Sequence, residues 1–362
     1  MTGVLPQHHD TLAETLDNFG YRTLGSVGNL WLSSFFGYAQ GFEEYFETDR
    51  PDLGGIHEAE TVFGKTVNRL EKIVKSKEPF FLYLHFNDVH GPYQCSEEDF
   101  KILKTSTNLG AETLLSQSDL ETQESYIGKW ITWMGPREKQ SLQFWRTCYA
   151  AGVRNFDRKL GDIFEQLRKN GLFDNSVVIL TADHGEELYE HKGWVHGTSL
   201  YYHQTHVPLI MYLPKGRYAG TRVEGLVSSI DIMPTILSLA NINYSDMNLK
   251  GQNLLPLLKN NEDDRYAYSE YVNFSPNIHS IQDKDFKLIL NIQSGSSKLF
   301  NVKKDKFERI NVAKENKSQV KRLGDLLIEH IDNINKGNPQ SGLEQHIPED
   351  IKEGLKSLGY LQ

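Results

Sequence analysis

Ser176-Val177-Val178-Ile179-Leu180-Thr181-Ala182-Asp183-His184-Gly185-Glu186-Glu187 is the stretch whose reading decides the fold. A short apolar run rich in β-branched residues, bounded by polar and turn residues, predicts a buried strand over 176–180. Directly after it stand an aspartate and a histidine. Ligand sites in open parallel sheets lie just beyond the carboxyl ends of strands, so this placement carries information. Asp183 offers a hard oxygen and His184 a borderline nitrogen to a divalent metal, and Gly185 permits a tight turn beside them. Asp-His-Gly alone is equally a polar turn. What strengthens the metal reading is the histidine density downstream: His184, His191, His196, His203 and His206 are five of the chain's 13 histidines. Histidine is the commonest metal ligand and the usual general acid near neutral pH. His191 and His203 read individually as surface or core residues, whereas His196-Gly197 and His206-Val207-Pro208 are the stronger candidates.

Outward from this stretch the chain alternates helices and strands. Asp10–Glu14 opens a short helix, with Thr11 and Glu14 spaced as a capping box and Gly20 as the stop. Tyr21–Val27 reads as a strand, and Val62–Val74 carries apolar residues at helical spacing. Phe80–Phe86 is a continuous apolar run that suits a strand covered on both faces. It leads into a second chemical cluster, His85-Phe86-Asn87-Asp88-Val89-His90, again at the carboxyl end of a strand. Tyr149–Asn170 predicts the clearest helix, with Val153, Phe156, Leu160, Phe164 and Leu167 as its stripe and Gly171 as its stop. Val207–Leu213 predicts a further strand, and Ser228–Ala240 a helix with Pro234 in its first turns. From about residue 265, the segments 278–281, 286–292 and 298–302 alternate with turn residues, which predicts an antiparallel meander covered by a helix near 319–334. Residues 95–145 break the rhythm: they are polar, carry Trp130, Trp133 and Trp145, and read as an insertion between sheet elements that either caps the site or is packed on its host by those aromatics.

The expected fold class is therefore α/β, a mainly parallel sheet flanked by helices, with a small C-terminal antiparallel α+β subdomain. The expected domains are 1–264, with the insertion at about 95–145, and 265–362. A chain of 362 residues can bury such a core. Its net charge of −9 and lack of a basic patch interleaved with aromatics argue against nucleic acid as a partner. The longest apolar runs are too short to cross a bilayer. Met1–Pro6 has neither a charged nor an apolar region of the signal-peptide kind. Cys95 and Cys148 are widely separated and read as incidental thiols.

The segment 176–213, SVVILTADHGEELYEHKGWVHGTSLYYHQTHVPLIMYL, resembles the second metal-binding motif of the sulfatase family within the alkaline-phosphatase superfamily. TLAETLDNFGYRT (11–23), FFLYLHFNDVHGPY (80–93), the 152–176 segment, SSIDIMPTILSLA (228–240), GQNLLPLLK (251–259) and the closing LKSLGYLQ (355–362) are similar to family segments in the same order. The resemblance implies hydrolysis of a sulfuric ester, on a small molecule or a carbohydrate, with Asp183 and His184 as metal ligands. His90 and His196 would contact the ester or protonate the leaving oxygen. It implies a divalent metal, calcium foremost and manganese as the alternative, and a formylglycine nucleophile. Full-length relatives are often periplasmic or secreted.

This sequence also departs from the family pattern. His184 stands where many sulfatases have asparagine, a feature typical of phosphodiesterases and phosphonate hydrolases that also occurs in bacterial sulfatases. His196 stands where arylsulfatases often carry lysine, and Asn29 and Trp31 replace the lysine and histidine of a Gly-Lys-Trp-His segment. Met1–Pro6 resembles the Leu-Thr-Gly-x-x-Pro that follows the family nucleophile. The Cys/Ser-x-Pro-Ser-Arg motif and two further aspartate ligands are therefore expected to be missing, leaving this chain inactive or impaired. A phosphonate or phosphodiester hydrolase and a non-catalytic fragment are the alternatives.

Overall fold

The computed structural model describes residues 4–47, 59–91, 93, 96–106, 142–197, 199–259, 264–271 and 278–337. These form two compact units, one within 1–174 and the other within 175–337.

The first unit starts with α1 (Leu12–Asn18). Its capping box is formed: Glu14 N–H donates to Thr11 Oγ1 at 3.0 Å, and Thr11 N–H donates to Glu14 Oε2 at 3.0 Å. Gly20 ends the turn with φ +81°, a conformation that costs glycine nothing. A parallel sheet follows, in the order β2 (Glu44–Phe46), β1 (Arg22–Val27), β3 (Phe80–His85). Helix α2 (Ala59–Ser76) and helix α4 (Leu142–Lys169) pack on it through Phe63, Leu70 and Ile163, against Phe80, Leu82 and Leu84. The strand 80–85 is only half-covered, with Tyr83 38% exposed, so it is not the doubly covered strand its composition suggests.

Helix α4 begins at Leu142, seven residues before the expected start, because its first two turns are apolar: Trp145 and Cys148 are buried. Its buried stripe also differs by one position. Leu160 and Ile163 face the core with Phe156 and Leu167, while Val153 is exposed. Of the expected insertion, α3 (Glu97–Ser106) is described and is clamped to α4. Asp99 accepts from Ser96 Oγ at 2.8 Å, Arg154 Nε at 3.0 Å and Arg158 Nη2 at 2.9 Å. Trp130, Trp133 and Cys95 lie outside the described residues.

In the second unit β4 (Val178–Thr181) pairs antiparallel with β7 (Leu209–Tyr212). The strand expected to be buried is half-buried, because among the described residues β7 is its sole partner. Between them a two-residue hairpin, β5 (Glu187–Leu188) and β6 (Trp194–Val195), precedes the short helix α5 (Tyr202–Thr205). Helix α6 (Ile232–Leu239) has Pro234 in its first turn as expected, and just before it Asp231 accepts from Ser228 N–H at 2.9 Å, closing the capping box of the turn 229–231.

The meander holds four strands in the order β11-β10-β9-β8. These are β8 (Ala267–Tyr271), β9 (Ile278–Gln282), β10 (Phe286–Asn291) and β11 (Ser297–Asn301). Helix α7 (Lys317–Gly337) covers it through Leu323 and Leu327, buried against Ile281, Leu288 and Leu299. The compact unit that holds β4 therefore also holds this meander, and the expected boundary near 264 adjoins residues 260–263, outside the described set. No helix of the described residues is long and apolar enough to cross a membrane.

Candidate active site

β4 delivers its last side chains into the turn 182–185, and the loop up to α5 folds back on that turn. Asp183 Oδ1 accepts from the His184 backbone N–H at 3.0 Å, and both side chains are open to solvent. The His184 Nδ1–H donates to Gly185 O at 2.9 Å, which fixes the tautomer and leaves the lone pair on Nε2. That Nε2 lies 3.7 Å from Asp183 Oδ2, so one nitrogen and one carboxylate oxygen converge on the same small volume. The donor set suits a divalent cation as two of its ligands. Among the described residues no group of three or more metal-ligating side chains is assembled.

Gly185 is required here. A Cβ at this position would collide with the His203 carbonyl, and its N–H donates to Gln204 O at 2.9 Å. The turn that carries His184 is thus seated directly on α5.

His196 comes to the same place by a different route. The β5–β6 hairpin brings residues ten apart in sequence together, and the buried Glu186 accepts from His196 Nδ1–H at 3.0 Å. The His184 and His196 rings stack with centroids 3.8 Å apart. A carboxylate on Nδ1 orients the imidazole and sets its tautomer, presenting Nε2 for chemistry. Val195, the residue before His196, sits at φ +55°. That region is costly for a β-branched residue, and Tyr189 and Lys192 of the same hairpin share it.

The brace under this loop is Glu187, whose side chain is 1% exposed. Its Oε1 accepts from the His191 and Gly193 backbone N–H groups at 3.0 and 2.9 Å. Its Oε2 accepts from Ser199 Oγ at 3.0 Å and Gln204 Nε2 at 3.1 Å. One buried carboxylate therefore ties the hairpin to α5.

His191, His203 and His206 serve as packing aromatics. His191 stacks on Tyr201 at 3.8 Å, His206 on Tyr202 at 4.4 Å, and His203 on Phe307 at 5.8 Å. Burial pushes the pKa of both His203 and His206 down from the ordinary histidine value.

His90 stands in the first unit, in the loop after β3, with its Nδ1–H donating to Gly91 O at 2.6 Å. Its neighbours hold the loop. Asn87 Nδ2 donates to Gly28 O at 2.7 Å, and Asp88 Oδ1 accepts from Lys159 Nζ at 3.0 Å and from the Ala59 N–H that opens α2 at 3.2 Å. Burial raises the Asp88 carboxyl pKa, with Lys159 and the Ala59 N–H opposing. Asn29, which replaces the family lysine, accepts from Trp31 N–H at 3.0 Å and caps a short turn.

Sequence reasoning placed Asp183, His184 and His196 and the structure brings them together. It did not assign Glu186 or Glu187, although both follow the motif directly. Their signal was two adjacent carboxylates at a strand end, which sequence alone does not separate from a solvated turn.

The family model for sulfatases matches residues 1–242, two thirds of the chain. The chain belongs to the sulfatase family. A second model, the N-sulphoglucosamine sulphohydrolase C-terminal region, matches residues 190–336. Arylsulfatase K of Rattus norvegicus is 32% identical over 207 residues, which cover 54% of this chain and 36% of that protein. BT4656 solved with its substrate D-glucosamine-2-N,6-O-disulfate superposes with TM-score 0.67 at 18% identity, covering 95% of this chain and 85% of that one. The phosphonate monoester hydrolase of Agrobacterium radiobacter superposes with TM-score 0.68 at 18% identity, covering 94% and 82%. These neighbours have the alkaline-phosphatase-like fold, and this chain shares it. Its matches span from 36% to 63% of the length of such curated relatives as arylsulfatase K and the Clostridium perfringens arylsulfatase.

Proposed function

We propose that the 183–196 turn is part of the active site of a sulfatase-type hydrolase of sulfuric esters. The observation that carries the reading is the Glu186–His196 pair, 3.0 Å apart, with its imidazole stacked on His184 beside Asp183. In this reading Asp183 and His184 hold a divalent cation, calcium foremost and manganese as the alternative. Such a cation polarises the ester oxygens and lowers the pKa of a nucleophile. His196, oriented by Glu186, holds the ester or gives a proton to the leaving oxygen, a role that needs a fixed ring within hydrogen-bond reach. For His90 the family resemblance implies contact with the ester.

In this reading the nucleophile is the family's formylglycine, whose Cys/Ser-x-Pro-Ser-Arg motif does not occur in residues 1–362. Cys148 is buried within α4 and offers no substitute. The polypeptide of residues 1–362 is therefore expected to bind its ester with little or no turnover. Rapid turnover by these residues alone contradicts that expectation.

A second reading, a phosphonate monoester or phosphodiester hydrolase, is favoured by His184 and by the likeness to the Agrobacterium enzyme. The test is competitive turnover of an aryl sulfate and an aryl phosphodiester by the natural gene product. Preference for the sulfate ester supports the first reading, and a strong phosphodiester preference overturns it. The ester-bearing substrate is proposed to be a sulfated carbohydrate, the class bound by BT4656.

A further inference from the structure

One surface of the second unit is unused by the site just described. Tyr201, Tyr202 and Phe307 are linked through two histidines: Tyr202 meets Phe307 edge-on at 5.6 Å, His203 stacks on Phe307, and His191 lies between His203 at 5.6 Å and Tyr201 at 3.8 Å. Three cations lie on those rings. Lys298 Nζ stands 5.2 Å from the Tyr201 centroid and donates to its hydroxyl at 2.6 Å. Lys306 Nζ lies 5.5 Å from Tyr202 and 5.6 Å from Phe307, and Arg309 Cζ lies 5.5 Å from Phe307. Cation–π contact positions a charge without neutralising it.

Lys298, Lys306 and Arg309 are exposed and make no ion pair among the described residues. The carboxylates beside them in sequence are engaged by other groups. Glu308 is buried against Lys287 Nζ at 2.9 Å, and Asp305 accepts from Ile310 N–H at 2.7 Å. An uncompensated positive ridge on a chain of net charge −9 is the reverse of the molecule's overall bias.

The ridge is also rigid. Glu308 Oε2 accepts from Tyr202 N–H at 2.8 Å, and Lys287 donates to Thr205 Oγ1 at 3.0 Å. This buried pair therefore locks segment 305–309 onto α5. The same helix receives the turn of His184 through Gly185 N–H and the brace of Glu187 through Gln204. Ridge and candidate site thus share one scaffold element.

We propose that the Lys298–Tyr201–Tyr202–Phe307–Lys306–Arg309 ridge binds a sulfated polysaccharide chain, holding anionic sugar units beyond the one whose ester faces His196. The proposal rests on the sulfuric-ester reading for the direction of the chain, but not for its binding. Sulfate groups suit fixed ammonium and guanidinium donors, and sugar rings suit the apolar edge of Phe307, which is 42% exposed. Nucleic acid is disfavoured by the overall negative charge.

The test is the binding of fluorescently labelled chondroitin sulfate to the 362-residue chain by anisotropy at low and moderate salt. Its chemically desulfated form and single-stranded DNA of equal charge are the comparison ligands. Wild type is expected to bind the sulfated chain at least tenfold more tightly than either. The Lys306→Gln, Arg309→Gln double variant is expected to lose at least tenfold and to show a shallower salt dependence. Phe307→Ala is expected to lose several-fold with the salt dependence unchanged. Lys72→Gln with Lys75→Gln, on α2, is the charge-matched control and is expected to bind as wild type. Circular dichroism melts confirm that the variants fold.

Ridge variants that bind as wild type, equal binding of the desulfated chain, or equal or tighter binding of DNA each overturn the proposal. The two readings fail separately. Glycan binding with no sulfate-ester recognition overturns the active-site reading alone. Sulfate-ester recognition with no glycan binding overturns this one alone.

Discussion

Glu187→Ala tests the brace beneath the candidate site. The carboxylate is 1% exposed and accepts four hydrogen bonds that hold the β5–β6 hairpin to α5. A hydrogen bond to a charged group contributes about 1.5–3 kcal/mol. The four do not add in full, because the His191, Gly193 and Ser199 groups are half-buried and regain water once the carboxylate is gone. Gln204 is buried, so its amide bears the full loss of about 1.5–3 kcal/mol, and the other three add roughly 0.5 kcal/mol each. The expected destabilisation is therefore about 3–4.5 kcal/mol, a large part of an ordinary domain's stability.

Urea unfolding measures the sum, and amide hydrogen exchange at His191 and Gly193 locates it. Both amides should lose protection, and the mutual ring shifts of His184 and His196 should collapse. Glu187→Gln keeps one acceptor oxygen for the two backbone donors and should lose only about 1 kcal/mol. An alanine variant within 1 kcal/mol of wild type, with the two amides still protected, would refute the assignment of Glu187 as the brace.

Two further outcomes follow from the geometry. Hydrogen bonds from Ser96, together with Arg154 and Arg158, hold the Asp99 carboxyl below its ordinary value, against the effect of burial. Its contribution is therefore present above the unfolded value of about 4 and lost as pH falls below it. Asp99→Asn should lower thermal stability at pH 7 and flatten its acid dependence; parallel stability–pH curves for the two proteins would contradict the clamp. Gly185→Ala drives a methyl into the His203 carbonyl and should cost about 1–3 kcal/mol while separating His184 from His196, read as loss of their mutual ring shifts.

Much of this was legible in sequence because it depends on local chemistry. The Thr11–Glu14 capping box and the glycine stops at 20 and 171 need only neighbours a few residues away. The 176–180 run found its strand and the turn after it found its ligand-type residues. What sequence did not show depends on tertiary partners. Val153 is apolar and correctly spaced for the core, yet the helix rotation set by Cys148, Leu160 and Ile163 leaves it in solvent. Ala267–Tyr271 has weak strand character by itself and becomes β8 by pairing with β9. Strand β4 reads as buried from its residues, but half-burial follows from its pairing with β7. The Glu186–His196 contact needs a hairpin that turns through three non-glycine residues at positive φ, Tyr189, Lys192 and Val195, for which sequence carries no signal.

We propose that Asp183, His184 and His196 form one ester-binding, metal-holding unit. Its most direct measurement is the ring ¹H–¹⁵N spectrum of the histidines during a calcium titration, followed by addition of an aryl sulfate. Calcium is predicted to move the His184 signals and the sulfate ester to move those of His196, with Asp183→Ala abolishing both responses. His184 signals indifferent to calcium and manganese, or His196 signals that answer an aryl phosphodiester and not the sulfate, would contradict it.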